Sequence, residues 1–166
     1  QLHHVAGLML ANHISTMVFS PIVGKMITNW GERLTLQIEY VGLFLVFVAY
    51  AGLYWFEWPW EVAAALYIID HILFAAAFAQ KTYFQKIADP EDQAPTAAVA
   101  FTINHIAAVF LPAALGYLWL VSPSSVYSLA AGMACVSLML SFMVPRHPAK
   151  GHETTFRPRL TATPAE

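Results

Sequence analysis

Hydrophobic and polar positions along this chain alternate by whole segments rather than by single residues. Long apolar runs, each near the ~20 residues that cross a bilayer core, are separated by short polar clusters. Five such runs can be marked, at about 5–27, 38–56, 62–79, 97–121 and 125–144. The first is polar for a membrane helix, holding Asn12, His13, Ser15, Thr16 and Ser20, with Pro21 near its end. Such a segment is expected inside a bundle, where neighbours can satisfy the polar groups and the carbonyl freed by proline. A hydrophilic turn over 24–33 follows. The second run is almost purely aliphatic and aromatic after Glu39, which suits a lipid-facing helix. It ends in Tyr54-Trp55-Phe56-Glu57-Trp58-Pro59-Trp60, an aromatic cluster of the kind that sits at a membrane interface. The third run carries Asp70 and His71 near its midpoint, and an amphipathic, then acidic loop over 80–95 leads out of it. From Gln93 to Pro145 there is no Asp, Glu, Lys or Arg. Two further runs fit there, broken by the turn-forming residues around Pro123. The polar segment 146–166, rich in Pro and Thr, reads as a disordered tail.

Composition turns this pattern into a class. The chain has 166 residues, 58% hydrophobic and 11% charged, with a mean hydropathy of +0.57. Soluble domains carry about 25% charged residues, so the expectation is an all-α integral membrane protein with five transmembrane helices. A net charge of −2 with scattered basic residues gives no nucleic-acid footprint. The single cysteine, Cys135, lies in an apolar run and offers neither a disulfide framework nor a thiolate metal site. No basic-then-apolar leader precedes the first run, and the chain opens on Gln1, so it reads as a piece of something longer or as a processed product.

The basic residues supply an orientation. If five helices alternate sides, the loop after the first, the loop after the third and the tail share one side. Those segments hold Lys25, Arg33, Lys81, Lys86, Arg146, Lys150, Arg157 and Arg159, which is all 8 of the Lys and Arg residues. The positive-inside rule makes that side, and the C-terminus, cytoplasmic. A bacterial inner membrane is the expected location.

Two stretches match each other. Asn12-His13-Ile14 is followed by Pro21 and Gly24, and Asn104-His105-Ile106 by Pro112 and Gly116, with the same distance from Asn to Gly in both. The alternation of sides runs the two stretches in opposite directions and sets them at mirrored depths. That is what an inverted repeat about an axis in the membrane plane requires.

The loop after the first run carries Gly24, Gly31 and Arg33. In this it resembles the major facilitator superfamily, whose helix-connecting cytoplasmic loop reads G-x-x-x-D-x-x-G-x-R. Thr28 stands where that pattern has Asp, which puts a charge-pair gating role for this copy in doubt. The stretch from Lys81 to Gly116 also has a permease-like character. The resemblance extends to about Pro145 and implies helices eight to twelve of a twelve-helix transporter. The chain would then be a partial six-helix half built from inverted three-helix repeats. The partners implied are the bilayer, the missing N-terminal half and a small-molecule solute, with protons as one option; no cofactor and no enzymatic activity are implied.

Asp70 is the strongest single candidate. A carboxylate at the centre of a span costs about 2.5–3.5 kcal/mol on insertion scales and usually faces a cavity or a partner. It could carry a proton or bind a cation; its structural alternative is a hydrogen bond to a neighbouring helix. His71 follows it directly, so the two point about 100° apart on a helix. His13, His105, Asn12 and Asn104 complete the candidate coupling or solute site, although each is equally at home as an interhelical hydrogen-bonding group. Gly24, Gly31 and Arg33 form the candidate gating loop, and Pro112 with Gly116 the candidate hinge, otherwise bending and packing features. Phe44, Phe47 and Tyr50 read as lipid or core contacts. Two other classes compete: a membrane redox protein with haem or a metal held by His13, His71 and His105, and a non-transporting scaffold.

Overall fold

The computed structural model describes residues 2–156, which are helical apart from short turns and one isolated bridge between Ala149 and His152. In chain order the elements are α1 (Leu2–Phe56), α2 (Trp60–Phe74), a 3-10 turn (Ala75–Ala77), α3 (Phe78–Ile87), α4 (Pro90–Val121) and α5 (Pro123–Ser141). The backbone keeps helical dihedrals through the 3-10 turn, so α2 and α3 form one 28-residue rod, Trp60–Ile87. Four helices are long and apolar enough to cross a membrane: Ala6–Phe56, Trp60–Ile87, Pro90–Val121 and Pro123–Ser141. The shortest, at 19 residues, is about 28 Å long and matches a hydrocarbon core of ~30 Å.

The hydrophilic turn expected over 24–33 needs correcting. Helix persists on both sides, and only Gly31, at φ 83 and ψ 167, leaves it. That conformation is open to glycine and almost nothing else. The polar residues around it project from the helix without ending it: the Thr28 hydroxyl donates to the Gly24 carbonyl at 3.0 Å, and Thr35 to Gly31 at 3.0 Å. Their polarity marks where the chain is wet, not where the helix stops. The expected loop over 80–95 contracts in the same way, to Ala88 and Asp89 between α3 and α4. Asp89 is extended, as a residue before proline prefers, and Pro90, Glu91 and Asp92 fill the first turn of α4. The breaks after Phe56 and at Ser122 fall where the aromatic cluster and the Ser/Pro signal place them.

α1 is the hub on which α2, the 3-10 turn, α3 and α5 all pack, whereas α4 rests on α5. Small residues make the contacts close, as helix packing without a hydrophobic driving force requires. Ala75 and Ala76 bury against Val23, with Ile27 alongside. Ala131 and Ala134 are buried on α5, and the Leu73 side chain packs directly over Gly42.

The two ends of the bundle differ in chemistry. At one end aromatic rings tie α1, α4 and α5 together: Tyr50 stacks on Tyr127 with centroids 4.9 Å apart, and Tyr54 meets Trp119 at 6.0 Å. The opposite end holds the Gly31 break, the end of α3 and residues 146–156. There the Met143 carbonyl accepts the Thr155 amide at 2.9 Å, the Tyr83 hydroxyl donates to the Glu153 carbonyl at 2.5 Å, and Lys150 pairs with Asp89 at 2.5 Å. Pro145 is fully buried beneath these turns. The disordered tail expected over 146–166 thus has its first part folded back on the bundle, while 157–166, with Arg157 and Arg159, lie outside the described residues.

Candidate functional site

At the basic end the break at Gly31 turns Glu32, Thr35, Leu36 and Glu39 inward on one helical face. Their spacing of three, four and seven residues is that of a buried stripe. All four are buried, Glu32 at 1% and Glu39 at 3% exposure. Lys86, from the end of α3, brings its Nζ to 2.5 Å from Glu32 Oε1. It approaches off the hydrogen-bonding direction, so the contact is ionic, and Glu32 Oε2 has no partner. Glu39 Oε2 and the neighbouring Gln37 Nε2 are also buried without partners. Arg33, two residues past the break, places its guanidinium 5.9 Å from the Phe142 ring centroid. Gly31 faces the Arg146 carbonyl. Two of the three gating-loop candidates, Gly31 and Arg33, therefore sit at the junction of α1 with the end of α5, and Gly24 lies two turns earlier in open space. Glu32 and Glu39 were not among the sequence candidates. Their seven-residue separation on a helix was the available signal, hidden by the assumption that 24–33 is a turn.

Asp70 lies on α2, partly exposed, with its Oδ2 3.6 Å from His71 Nδ1. The His71 ring also reaches back one turn, its Nδ1 2.9 Å from the Tyr67 carbonyl and its ring 4.3 Å from the Tyr67 ring. His105 on α4 repeats this arrangement: Nδ1 is 2.9 Å from the Phe101 carbonyl and the rings are 3.9 Å apart. A carbonyl oxygen can only accept, so Nδ1 is the donor in both, which leaves Nε2 as the acceptor nitrogen of each neutral ring.

Asn104, next to His105, lines a groove of about 760 Å³ between α3 and the first half of α4. Gln80, Lys81, Gln93 and Thr96 supply its polar lining, with Phe84 and Phe101 among the apolar residues. Gln80 hydrogen-bonds the Tyr40 hydroxyl, which ties this groove to the residue next to Glu39 on α1. The size falls within the ~300–1,000 Å³ of small-molecule sites.

The matching tripeptides occupy unlike surroundings. Asn12 is buried, with Oδ1 lacking a partner; His13, Asn104 and His105 are exposed. Pro112 and Gly116 lie on exposed turns of α4, and a methyl group at Gly116 would meet nothing. Among the described residues no hydrogen bond or ion pair joins Asp70 to either Asn-His pair. Among the described residues no three of His, Cys, Asp and Glu converge to hold a metal, so the redox alternative gains nothing from the geometry. No known protein family, curated protein or solved structure matches the chain.

Proposed function

We propose that the chain is most of the C-terminal half of a secondary active transporter of the major facilitator type. On this reading the two arms of α1 cross the bilayer separately, giving five crossings. Four transmembrane-length helices and the loop residues Gly24, Gly31 and Arg33 support it.

One observation carries the proposal. α4 is 32 residues long and has no buried residue, yet it holds Thr96 and Asn104 on an open groove and the exposed Thr102 and His105 on its other turns. Polar side chains at membrane depth are tolerated against protein or a water-filled cavity, not against lipid. The groove face of α4 is therefore one wall of a cavity that an upstream half completes. Solute would bind there near the midplane, with the two halves rocking about it. Asp70 and the Nε2 atoms of His71 and His105 would serve coupling or solute contact, and buried Glu32, paired with the half-exposed Lys86, would brace the basic end. The inverted relation between the Asn12 and Asn104 helices, and a cytoplasmic C-terminus, belong to the same reading.

The test is uptake or efflux by the parent protein in proteoliposomes. Asp70→Asn should abolish net transport or flatten its pH dependence. Transport unchanged in rate and pH profile would remove Asp70 from the mechanism. Asn104→Cys should also form a zero-length cross-link to the upstream half, and labelling of Asn104→Cys from lipid alone would overturn the assignment of that face.

A further inference from the structure

The aromatic end holds a second, smaller cavity of about 240 Å³, lined by Tyr50, Leu53, Tyr54, Trp58, Ala63 and Tyr127. Its walls come from four segments: the end of α1, the turn before α2, the first turn of α2, and α5. Contacts hold them in place: the Tyr50 hydroxyl donates to the Ala63 carbonyl at 3.3 Å, Tyr50 stacks on Tyr127, and Tyr54 lies 6.3 Å from Tyr127. Tyr54 and Trp58 keep large exposed areas, 46% and 44%. An interfacial belt needs aromatics facing outward, as Trp55 at 71% exposure does. It does not need four rings converging on one space.

The charges around this cavity have one sign. From Tyr50 to Gln80 there are the carboxylates Glu57, Glu61 and Asp70 and no Lys or Arg, and α5 carries no charge. Glu57 sits in the turn beside Trp58, held at φ 49. Asp70 lies seven residues beyond Ala63, two turns along the same face of α2, ~10 Å deeper. The cavity thus combines aromatic rings and tyrosine hydroxyls with a carboxylate two turns below it on α2, whose own ion-pair contact is His71. A compact ammonium ion with methyl groups fits that chemistry, because ring faces attract the diffuse charge and the carboxylates supply the field that draws it in.

We propose that this aromatic cavity binds a small methylated ammonium cation, with Tyr54 and Trp58 contacting the charge and Asp70 acting on it from below. As an entry site for a transported solute it rests on the transporter reading; as a binding site it does not.

The experiment is equilibrium binding to the full chain in lipid nanodiscs, with choline and tetramethylammonium as probes and the uncharged tert-butyl isostere of choline as control. Both cations should bind saturably, and the isostere at least about fivefold more weakly. Trp58→Leu, with its fold checked by helical circular dichroism because Trp58 stacks on Phe56, should weaken both cations by about five- to thirtyfold, with Trp58→Phe recovering part of the loss. Asp70→Asn should weaken the cations and leave the isostere unmoved. No saturable cation binding, equal binding of the isostere, or a Trp58→Leu chain that binds as before would each overturn the proposal. Cation binding without transport by the parent would leave the site standing and sink the transporter reading. Transport of solutes that choline does not compete with would do the reverse.

Discussion

Replacing Lys86 by methionine removes the charge that faces the buried Glu32 carboxylate and keeps most of the side-chain length. The two partners are unequally placed: the Lys86 side chain is 51% exposed, that of Glu32 only 1%. Exposed ion pairs contribute about 0–1 kcal/mol, whereas removing one partner of a fully buried pair costs about 3–5 kcal/mol, because a charge is left stranded. With one end wet, Lys86→Met should cost about 2–3 kcal/mol. Glu32→Gln should cost about 1 kcal/mol or less, since the lysine left behind can turn to water. The double variant should return to the level of Glu32→Gln, a coupling of about 2–3 kcal/mol, the whole cost of Lys86→Met. Unfolding of the four proteins in mixed micelles, followed by helical circular dichroism across a denaturing-detergent titration, measures all of these differences. Equal losses for the two single variants, or losses that add in the double variant, would refute the reasoning. Either result would mean that the carboxylate is held by something other than Lys86.

Gly31→Ala should cost about 1–3 kcal/mol by the same titration. A methyl group there would stand 3.6 Å from the Arg146 carbonyl, an ordinary contact, so the loss comes from the backbone. Gly132→Ala, mid-helix in open space, should be neutral or stabilising by up to about 1 kcal/mol, and equal effects at the two sites would contradict the assigned break. Gly42→Ala would bring a methyl to 2.7 Å from both Leu73 Cδ atoms and should cost about 1–3 kcal/mol. In a Leu73→Ala background that cost should largely vanish, and a loss unchanged by the background would show that α1 and α2 do not approach as described.

The long apolar runs were legible in the sequence because bilayer length and near-absence of charge are strong, local constraints. The turns at Glu57 and Ser122 were legible for the same reason: aromatic, Ser and Pro clusters mark ends that composition cannot hide. The region 24–33 was misread because Lys25, Thr28, Asn29 and Arg33 are polar yet helix-compatible, and one glycine suffices to redirect the chain. Loop 80–95 was misread likewise: its polar residues are the wet face of α3 and the first turn of α4. The buried acids followed from the first error. Once the helix is carried through Glu32, the stripe Glu32, Thr35, Leu36, Glu39 faces inward and Lys86 is brought to it by the end of α3, a pairing across 54 residues that no local pattern could show.

The two Asn-His stretches make the limit of local sequence plain. Identical tripeptides on two apolar helices end up buried at Asn12 and open at Asn104. Burial depends on which neighbours are present, and α1 is the hub of the bundle while α4 rests on α5. The two asparagines differ in what they lack: Asn12 Oδ1 is buried without a donor, and Asn104 is exposed on the rim of an open groove between α3 and α4. A buried amide oxygen left unpaired costs about 1–3 kcal/mol, and an amide turned to lipid is no better placed. The half-transporter reading relieves the second deficit, since an upstream half can cover the exposed face of α4 that holds Asn104. Asn12 Oδ1 is already enclosed by this chain, so a donor can reach it only through a shift within the bundle itself.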